Sequence, residues 1–428
     1  MNKIIYLTGY RKTLYNFYIK IYVFLHFLGE IISGKFPSKN FLRFSRRLLF
    51  FLSKMKDNKY VKSGKDTKIN LYVPAFPSEA FFKACRKVMI SEERMPCITV
   101  LLSVTSACRY ACEHCYQKFD YGKDVDIDLL CEVTKKLDKS GVAFFNIEGG
   151  EPFLVFDRLK RICESIEVGE IWVNSTGDGV TTEKLKELKS LGVKGLMFSL
   201  HSYLPENINS FMKSDKAFEN LKNGIQCCHD ANLDVAANTC IMKKDFYDGT
   251  FDEILKLARE FGVSLIQLIK PKPSGGWLDN YVNDFSQEDL DYIEKLVYKY
   301  NNHPDYKTFP FVAAQLVEEK SEMFGCTAGG TDRFYINAKG DVQPCEFLNI
   351  SYGNIKTEEF DAIYKRMRDT FEVPGDKWLC ETCSKNITSV IKENNIRTFP
   401  LDKELSEQII NNWERGKPSH FYEKVRKI

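Results

Sequence analysis

Residues 108–116 read Cys108-Arg-Tyr-Ala-Cys112-Glu-His-Cys115-Tyr116 and directly follow an apolar run at 98–105 that is typical of a buried strand. The three cysteines have the spacing C-x3-C-x2-C. Three thiolates can hold three irons of a [4Fe–4S] cluster, which normally takes four cysteines. The fourth iron is then open to a substrate or cofactor, as in catalytic zinc sites. A zinc knuckle is the alternative for so short a motif.

Beyond this loop the sequence alternates between strand-like and helix-like segments. Six strands separated by helices predict a parallel α/β architecture, because parallel strands need crossover helices. The nearly continuous apolar runs are typical of strands buried on both faces. The predicted strands are 98–105, 142–147, 170–174, 195–201, 233–242 and 264–270, and the predicted helices are 126–140, 155–167, 181–191, 215–231 and 250–261.

Polar residues stand at the carboxyl ends of these strands. The second strand ends in Glu148-Gly149-Gly150-Glu151-Pro152, where paired glycines allow a ligand to approach the backbone and Glu151 supplies a carboxylate. The third ends at Asn174-Ser175, and the fourth carries Ser199 and His201. Short polar side chains in these positions are suited to ribose hydroxyls and a carboxylate.

The cysteine loop and the Gly149-Gly150-Glu151-Pro152 segment together resemble the radical S-adenosylmethionine (radical SAM) superfamily, and the resemblance covers roughly residues 97–385. It implies a partial (β/α)6 barrel. It also implies a [4Fe–4S] cluster on Cys108, Cys112 and Cys115 that binds SAM. By analogy with complete barrels, the functional groups are expected at the carboxyl ends of the strands.

The same resemblance assigns cofactor contacts. The Gly149, Gly150 and Glu151 segment looks like the family motif that holds the methionine amino group, and Asn174 and Ser199 stand where relatives contact the ribose and carboxylate. Tyr116, next to the third cysteine, is also assigned to the cofactor site. His201 stands where many relatives have an acidic residue, and a buried structural histidine is the competing interpretation.

Two further features of the barrel region have more than one interpretation. Cys240 alternates with Asn238 and Met242 on the fifth strand, so its thiol could line the site and donate a hydrogen atom to a substrate radical. Inert packing is the alternative, and no other catalytic residue is assigned. The segment from Pro271 to Trp277, leading to Tyr281, is interpreted as either a substrate lid or a plain connecting loop.

A second group of cysteines lies near the C-terminus. Cys326 and Cys345 have the spacing C-x13-G-x4-C around a predicted β-hairpin with its turn at 337–340, and Cys380 and Cys383 form a C-x2-C pair. Four thiolates can ligate one auxiliary iron–sulfur cluster, predicted to be [4Fe–4S], and a structural zinc site is the alternative. This region resembles the SPASM and shorter twitch extensions of radical SAM enzymes, in a shortened form because no cysteine follows Cys383.

Composition describes a folded chain of 428 residues, 44% apolar and 28% charged. Fourteen cysteines in a chain without a recognisable cleavable secretion signal indicate metal or catalytic chemistry rather than disulfides. Half of them lie outside the motifs and are interpreted as small buried hydrophobes. These are Cys85, Cys97, Cys131, Cys163, Cys227, Cys228 and Cys240.

Charge is concentrated at the N-terminus. Residues 1–68 contain fifteen Lys and Arg against three Asp and Glu, a net +12, while the whole chain is +3, so the remainder is −9. The apolar stretch 14–32 and the basic amphipathic stretch 41–54 together predict a helical arm on a membrane surface. Two ordinary core helices are the alternative. No recognition motif accompanies the charge, so nucleic acid is not expected. Residues 56–68 are interpreted as a linker.

These observations predict a chain of several parts. The predicted divisions are 1–68 arm, 69–96 lead-in, 97–310 radical SAM core, 311–390 auxiliary cluster region and 391–428 helical tail. The fold class is therefore α/β, with a partial (β/α)6 barrel, a small C-terminal hairpin and cysteine-rich domain, and the N-terminal arm.

The resemblance implies that SAM is cleaved reductively to a 5′-deoxyadenosyl radical that takes a hydrogen atom from a substrate C–H bond. A ferredoxin or flavodoxin is the expected electron donor. The basic apolar arm favours a lipid or membrane-associated substrate and a cytoplasmic protein peripheral on the inner membrane face; a peptide or another small molecule is the alternative substrate. The non-enzyme alternative is a zinc or iron–sulfur protein with a structural or electron-transfer role.

Overall fold

The computed structural model describes residues 4–90, 98–279, 285–413 and 416–428. Two sheets organise the chain: a small antiparallel sheet of three strands and a large sheet of nine. The strands are β1 (Ile4–Leu7), β2 (Tyr60–Ser63), β3 (Asp66–Lys68), β4 (Thr99–Ser103), β5 (Phe144–Glu148), β6 (Glu170–Ser175), β7 (Val193–Ser199), β8 (Asp234–Cys240), β9 (Leu265–Ile269), β10 (Phe311–Ala314), β11 (Arg333–Ile336) and β12 (Val342–Gln343).

The large sheet has the order β10-β9-β8-β7-β6-β5-β4-β11-β12. Each pair from β4 to β10 is parallel, and every residue of β4, β5 and β9 is buried, as expected for strands covered on both faces. Over the described ranges the sheet does not close, since β10 and β12 remain its edges. The predicted α/β class and partial barrel are thus confirmed.

Helices connect these strands close to their predicted positions, and side-chain caps fix several of their starts. Asp126 accepts from the backbone N–H of Asp128 at 2.8 Å, and Thr181 from that of Lys184 at 3.3 Å. The helices are α1 (Gly9–Ile32), α2 (Phe41–Ser53), α3 (Glu79–Met89), α4 (Ile127–Lys139), α5 (Phe156–Glu164), α6 (Thr182–Ser190), α7 (Pro205–Met212), α8 (Ala217–Ala231), α9 (Thr250–Glu260), α10 (Gln287–Asn302), α11 (Gln315–Glu318), α12 (Phe360–Thr370), α13 (Leu379–Glu393), α14 (Lys403–Asn412) and α15 (His420–Lys427).

The small sheet β1-β2-β3 covers the amino-terminal end of the barrel. Val61 and Leu71 join a buried apolar cluster with residues near the starts of the barrel strands, among them Phe144, Trp172 and Leu265. We refer to this cluster as the barrel floor. The interpretation of 56–68 as a linker was therefore wrong. The lysine content of this stretch is typical of an exposed loop. Lys59, directly before β2, is nevertheless buried, and its ammonium donates to the carbonyls of Tyr306 and Phe309.

The hairpin in the C-terminal region forms as predicted, with β11 and β12 antiparallel and Gly340 in the turn at φ 93°. The sequence did not reveal that β11 also pairs in parallel with β4 and so extends the barrel sheet. The C-terminal helix α15 returns to the N-terminal region, where the rings of Phe421 and Phe50 stack at 5.1 Å.

Helix α1 is apolar on two faces. Ile19, Val23 and Phe27 are buried in the core formed with α2 and α3, which matches the alternative of core helices. The other face is exposed and consists of large apolar side chains: Tyr10, Leu14, Phe17, Tyr18, Ile21, Tyr22, Phe24, Leu25, Leu28 and Ile32. None of the helices in the described ranges is long and apolar enough to cross a membrane.

Candidate functional site

The cysteine loop follows β4 at the carboxyl end of the parallel strands. Cys108 is exposed, whereas Cys112 and Cys115 are half-buried. A tight turn joins the last two, with the N–H of Cys115 on the carbonyl of Cys112 at 3.4 Å, and the N–H of Tyr110 points to Cys108 Sγ at 3.4 Å. Burial raises the pKa of Cys112 to about 12 and also raises the pKa of Cys115. Thiols in such surroundings need a cation to ionise, which a bound iron would provide.

The paired glycines pack against the start of this loop. A Cβ on Gly150 would lie 2.1 Å from the carbonyl oxygen of Ala107, and one on Gly149 would lie 2.5 Å from that of Thr105. Backbone hydrogen bonds close the contact, from Gly150 N–H to Thr105 at 2.7 Å and from Glu151 N–H to Ala107 at 2.8 Å. The glycines therefore serve close packing of two main chains, and this contact fixes the glycine segment relative to the cysteines.

The Glu151 side chain is fully buried and ties β5 to β6. Its carboxylate accepts from Ser175 Oγ at 3.0 Å, from the N–H and Oγ1 of Thr176 at 2.7 and 2.6 Å, and from the N–H of Phe153 at 3.2 Å. Burial raises the pKa of Glu151 to about 7 despite these donors. Four internal donors occupy both oxygens, so in this structure the side chain orients the loop.

Tyr116 and Asn174 meet at a carboxylate that the sequence did not single out. Tyr116 Oη donates to Glu148 Oε1 at 2.8 Å, and Asn174 Nδ2 donates to Glu148 Oε2 at 3.0 Å. Burial raises the pKa of Glu148 to about 8, and the Glu346 carboxylate acts in the same direction. Among the described residues Asn174 Oδ1 has no hydrogen-bond partner, which leaves an acceptor for a ligand.

The ends of β7 and β8 lie side by side. Ser199 is half-buried and in register with Asn238. His201 Nδ1 accepts the N–H of Cys240 at 3.0 Å, which gives this histidine the structural partner of the competing interpretation. Burial raises the pKa of Cys240 to about 12, so its thiol stays protonated near neutral pH.

Aromatic rings surround His114, which precedes the third cysteine. Its ring stacks on Phe211 at 4.2 Å and lies 5.2 Å from His201 and 5.6 Å from Trp277. Burial lowers the pKa of His114 to about 4. Phe211 belongs to α7, a helix that the sequence analysis did not predict.

The segment 271–277 is fastened to both cysteine regions. A Cβ on Gly275 would lie 2.3 Å from the carbonyl oxygen of Cys115, and Gly276 N–H donates to that oxygen at 3.1 Å. On its other side, Ser274 Oγ and Gly275 N–H donate to Asn349 Oδ1 at 3.2 and 3.0 Å. These contacts hold residues 274–276 in place, which matches the alternative of a connecting loop more closely than that of a lid. Tyr281 lies outside the described residues.

The four later cysteines are all buried, with Cys383 fully so. Cys345 Sγ lies 2.9 Å from Glu346 Oε2 and 3.9 Å from Arg333 Nη2. Cys380 is in the first turn of α13, whose positive end stabilises thiolates. Arg333 and the N-terminus of α13 favour an anionic iron–sulfur cluster on these thiols, whereas the carboxylate of Glu346 opposes it.

The two cysteine regions are in contact through rings: Tyr116 lies 5.8 Å from Phe347, two residues after Cys345. Over the described ranges no three His, Cys, Asp or Glu side chains converge on one point as ligands of a single metal ion would. The assignment of ligands therefore remains a prediction supported by the donor chemistry and by the loop contacts.

Comparisons with known proteins agree with this geometry. Residues 102–262 match the family model of the radical SAM superfamily, and residues 326–385 match SPASM, an iron-sulfur cluster-binding domain. The AdoMet-dependent heme synthase of Nitratidesulfovibrio vulgaris is 23% identical over 292 residues, which cover 63% of this chain and 79% of that protein. A probable GTP 3',8-cyclase of Saccharolobus solfataricus is 24% identical over 269 residues, 60% of this chain and 85% of that protein.

Among solved structures, Streptococcus suis SuiB bound to the precursor peptide SuiA is similar with a TM-score of 0.53 at 14% identity. The match covers 66% of this chain and 69% of that chain. At this identity the likeness concerns the fold.

Proposed function

Since this chain is a radical SAM enzyme that also carries a SPASM iron–sulfur domain, we propose that it abstracts a hydrogen atom from a substrate held between its two cysteine regions. The two domains imply a SAM-binding [4Fe–4S] cluster and auxiliary iron–sulfur binding. When bound, the first cluster and SAM supply a 5′-deoxyadenosyl radical. The observation that carries the proposal is the direct main-chain contact between the Cys108 loop and Gly149-Gly150-Glu151.

The residues of this chain are proposed to position these groups. Cys108, Cys112 and Cys115 would ligate the first cluster. The backbone of Gly149 and Gly150, oriented by the buried Glu151, would hold the methionine end of SAM. Asn174 Oδ1 would accept from a ribose hydroxyl. Ser199, whose hydroxyl can both donate and accept, is proposed to contact the ribose or the carboxylate of the cofactor.

The buried thiols of Cys326, Cys345, Cys380 and Cys383 are proposed to ligate one auxiliary cluster. The Tyr116–Phe347 contact places this region beside the first, so an auxiliary cluster there could accept an electron from a substrate radical or hold the substrate. A ferredoxin or flavodoxin is the proposed electron donor.

The test is anaerobic reconstitution of the full chain with iron and sulfide, followed by assay of 5′-deoxyadenosine. We expect release that requires both reductant and SAM. Cys112→Ala should abolish it, whereas Cys227→Ala, a half-buried cysteine of α8, should retain it. Zinc in place of iron at the loop, or a cluster that releases no 5′-deoxyadenosine, would contradict the proposed function.

The substrate is proposed to be a lipid or another membrane-associated molecule. The support is the exposed face of α1, where Leu14, Phe17 and Leu25 are 65%, 63% and 58% exposed, within a region of net charge +12. Apolar side chains beside Lys and Arg are suited to the surface of an anionic membrane. The protein would then lie peripherally on the cytoplasmic face of the inner membrane.

Flotation of the full-length protein with anionic vesicles tests this part. We expect binding that is lost in Leu14→Ser/Phe17→Ser/Leu25→Ser and retained in Tyr298→Ser, which is 56% exposed on α10. Wild-type protein that stays with the unbound fraction would remove the lipid proposal and leave the radical chemistry intact. A peptide would then be the substrate to test, since SuiB, a protein of similar fold, was solved with its precursor peptide.

A further inference from the structure

Two lysines that follow β9 are buried at the boundary between the barrel and the auxiliary region. Lys270 is 2% exposed and its Nζ lies 2.5 Å from Glu381 Oε1. Lys272 is 5% exposed, and its Nζ has no hydrogen-bond partner in the part of the chain that the structure describes. A buried ammonium without an acceptor is unfavourable, so this atom is suited to an anion supplied from outside the chain.

The indole of Trp378 forms one wall beside this ammonium. Lys272 Nζ lies 3.4 Å from the centre of the indole ring, and Lys270 Nζ lies 4.0 Å from it. Trp378 Nε1 is itself buried without a partner among the described residues. Trp378 is the residue directly before α13 and makes no side-chain cap there.

This group of donors lies between the two cysteine regions. Lys272 belongs to the segment 271–277, which contacts Cys115 on one side and Asn349 on the other. Trp378 stands two residues before Cys380. An anion bound here would lie where the proposed function requires the substrate.

We propose that Lys272 and Trp378 bind a carboxylate or phosphate group of the substrate. The inference rests on the proposed function and deepens it, because it limits the substrate to acidic molecules. An acidic lipid and an acidic peptide both carry such a group. The methionine carboxylate of SAM offers the same chemistry, and so does the anionic auxiliary cluster proposed on Cys380. Pyrophosphate binding to the reconstituted protein, together with SAM affinity, separates these sources from the substrate.

Pyrophosphate serves as the probe, titrated calorimetrically into the reconstituted full-length protein. We expect one saturable site whose affinity falls about tenfold or more in Lys272→Met, as for the loss of a hydrogen bond to a charged group, and stays within a few-fold in Lys272→Arg. Trp378→Phe should weaken binding by a smaller factor. The control, Lys256→Met, removes an exposed lysine of α9 and should bind like wild type.

Equal affinity in Lys272→Met and wild type, or no saturable binding, would overturn the proposal. SAM affinity, measured by equilibrium dialysis, is expected to be unchanged in Lys272→Met. A tenfold loss of SAM affinity would assign the anion to the cofactor and also overturn it. Release of 5′-deoxyadenosine is measured in a separate assay. If pyrophosphate binding depends on Lys272 but no 5′-deoxyadenosine is released, the result contradicts the proposed function and leaves the anion site standing.

Discussion

The contact between Gly150 and Ala107 shows how strongly the candidate site depends on single atoms. Neighbouring strands deliver the cysteine loop and the glycine segment to the same place, and their main chains touch there without an intervening side chain. Because backbone cannot move aside as a flexible side chain can, any added carbon must displace one of the two loops.

Gly150→Ala is expected to destabilise the iron-free protein by about 1–3 kcal/mol, the usual cost of overpacking, and to lower its iron content after reconstitution. Urea unfolding and iron analysis measure the two effects. Gly29→Ala is the control, since a Cβ at that position in α1 meets nothing within 4 Å and alanine favours a helix. Unfolding of Gly150→Ala at the wild-type midpoint would contradict this account of the glycine.

Glu318, on α11, provides a titrating group outside the cysteine motifs. Burial, with the Glu319 carboxylate acting in the same direction, raises the pKa of Glu318 from 4.5 to about 8, and Asn70 Nδ2 donates to it at 2.8 Å. Its carboxyl also lines a cavity of about 360 Å³ between α2 and α10. The unfolded chain therefore releases this proton at lower pH than the folded chain does.

The contribution of Glu318 to stability is complete below pH 4.5 and is lost as the pH rises through about 8. Glutamine keeps the hydrogen bond and does not titrate, so Glu318→Gln should lose less stability than wild type between pH 5 and 8. Urea unfolding at several pH values measures this difference. Glu322→Gln, on an exposed neighbour, should follow wild type, and parallel curves for wild type and Glu318→Gln would refute the assignment.

Residues within one loop are easier to recognise from the sequence than partners that come from different strands. The segment Gly149-Gly150-Glu151 was recognisable because its chemistry is contiguous. The role of Glu148 as a shared hydrogen-bond acceptor was not recognised. Its donors Tyr116 and Asn174 come from other parts of the chain, and only folding brings them together.

Between elements, one buried ion pair connects the small sheet to the barrel. Lys68 of β3 donates to Glu170 Oε1 at 2.7 Å and to the carbonyl of Val73 at 2.7 Å. Glu170, at the start of β6, also accepts from Trp172 Nε1 and from the N–H of Ala75. Both charged side chains are buried, so removing one leaves the other uncompensated.

Lys68→Met is expected to cost about 3–5 kcal/mol of unfolding free energy, measured by urea denaturation, because the Glu170 carboxylate stays buried without its cation. Lys68→Met/Glu170→Gln should recover part of this loss. Lys256→Met breaks an exposed pair with Glu253 and should change little. A double variant as unstable as Lys68→Met alone would argue against the pair as the cause.

Helices and strands whose apolar residues recur with a clear period were predictable from the sequence. Strands that depend on pairing with distant parts of the chain were not. The helices of the barrel begin and end close to their predicted residues because apolar spacing and caps are local. Strand β11 was expected only as half of a hairpin, since its pairing with β4 joins residues more than 200 positions apart. Strands β2 and β3 were missed because buried lysines gave them the composition of a loop.

At the scale of the whole molecule, the N-terminal region has two different surfaces: one packs against the barrel, and the other is exposed on α1. Its small sheet seals the barrel floor, while α1 leaves an apolar face uncovered by the described residues. A freely detachable arm would show neither the buried cluster around Val61 nor the return of α15 onto α2. The charge asymmetry along the chain predicted a membrane-binding surface in this region. It did not indicate that the small sheet packs against the barrel floor.

Deletion of residues 1–68 is therefore expected to expose Phe144, Trp172 and Leu265 at the barrel floor and to give a protein that aggregates or binds the dye ANS. Size-exclusion chromatography and dye fluorescence measure this outcome. The Leu14→Ser/Phe17→Ser/Leu25→Ser variant should remain monodisperse, because it alters only the outer face of α1. A monodisperse deletion protein with no dye binding would show that the barrel stands without this sheet.

The different depths of the two cysteine regions have a consequence for behaviour in air. Cys108 is open to solvent, whereas Cys326, Cys345, Cys380 and Cys383 are enclosed, so dioxygen reaches the first set well before the second. With an iron–sulfur cluster on each set, as proposed, bleaching of the reconstituted protein in air is expected to proceed in two phases. Material handled aerobically would retain the iron of the inner set after it has lost the outer one.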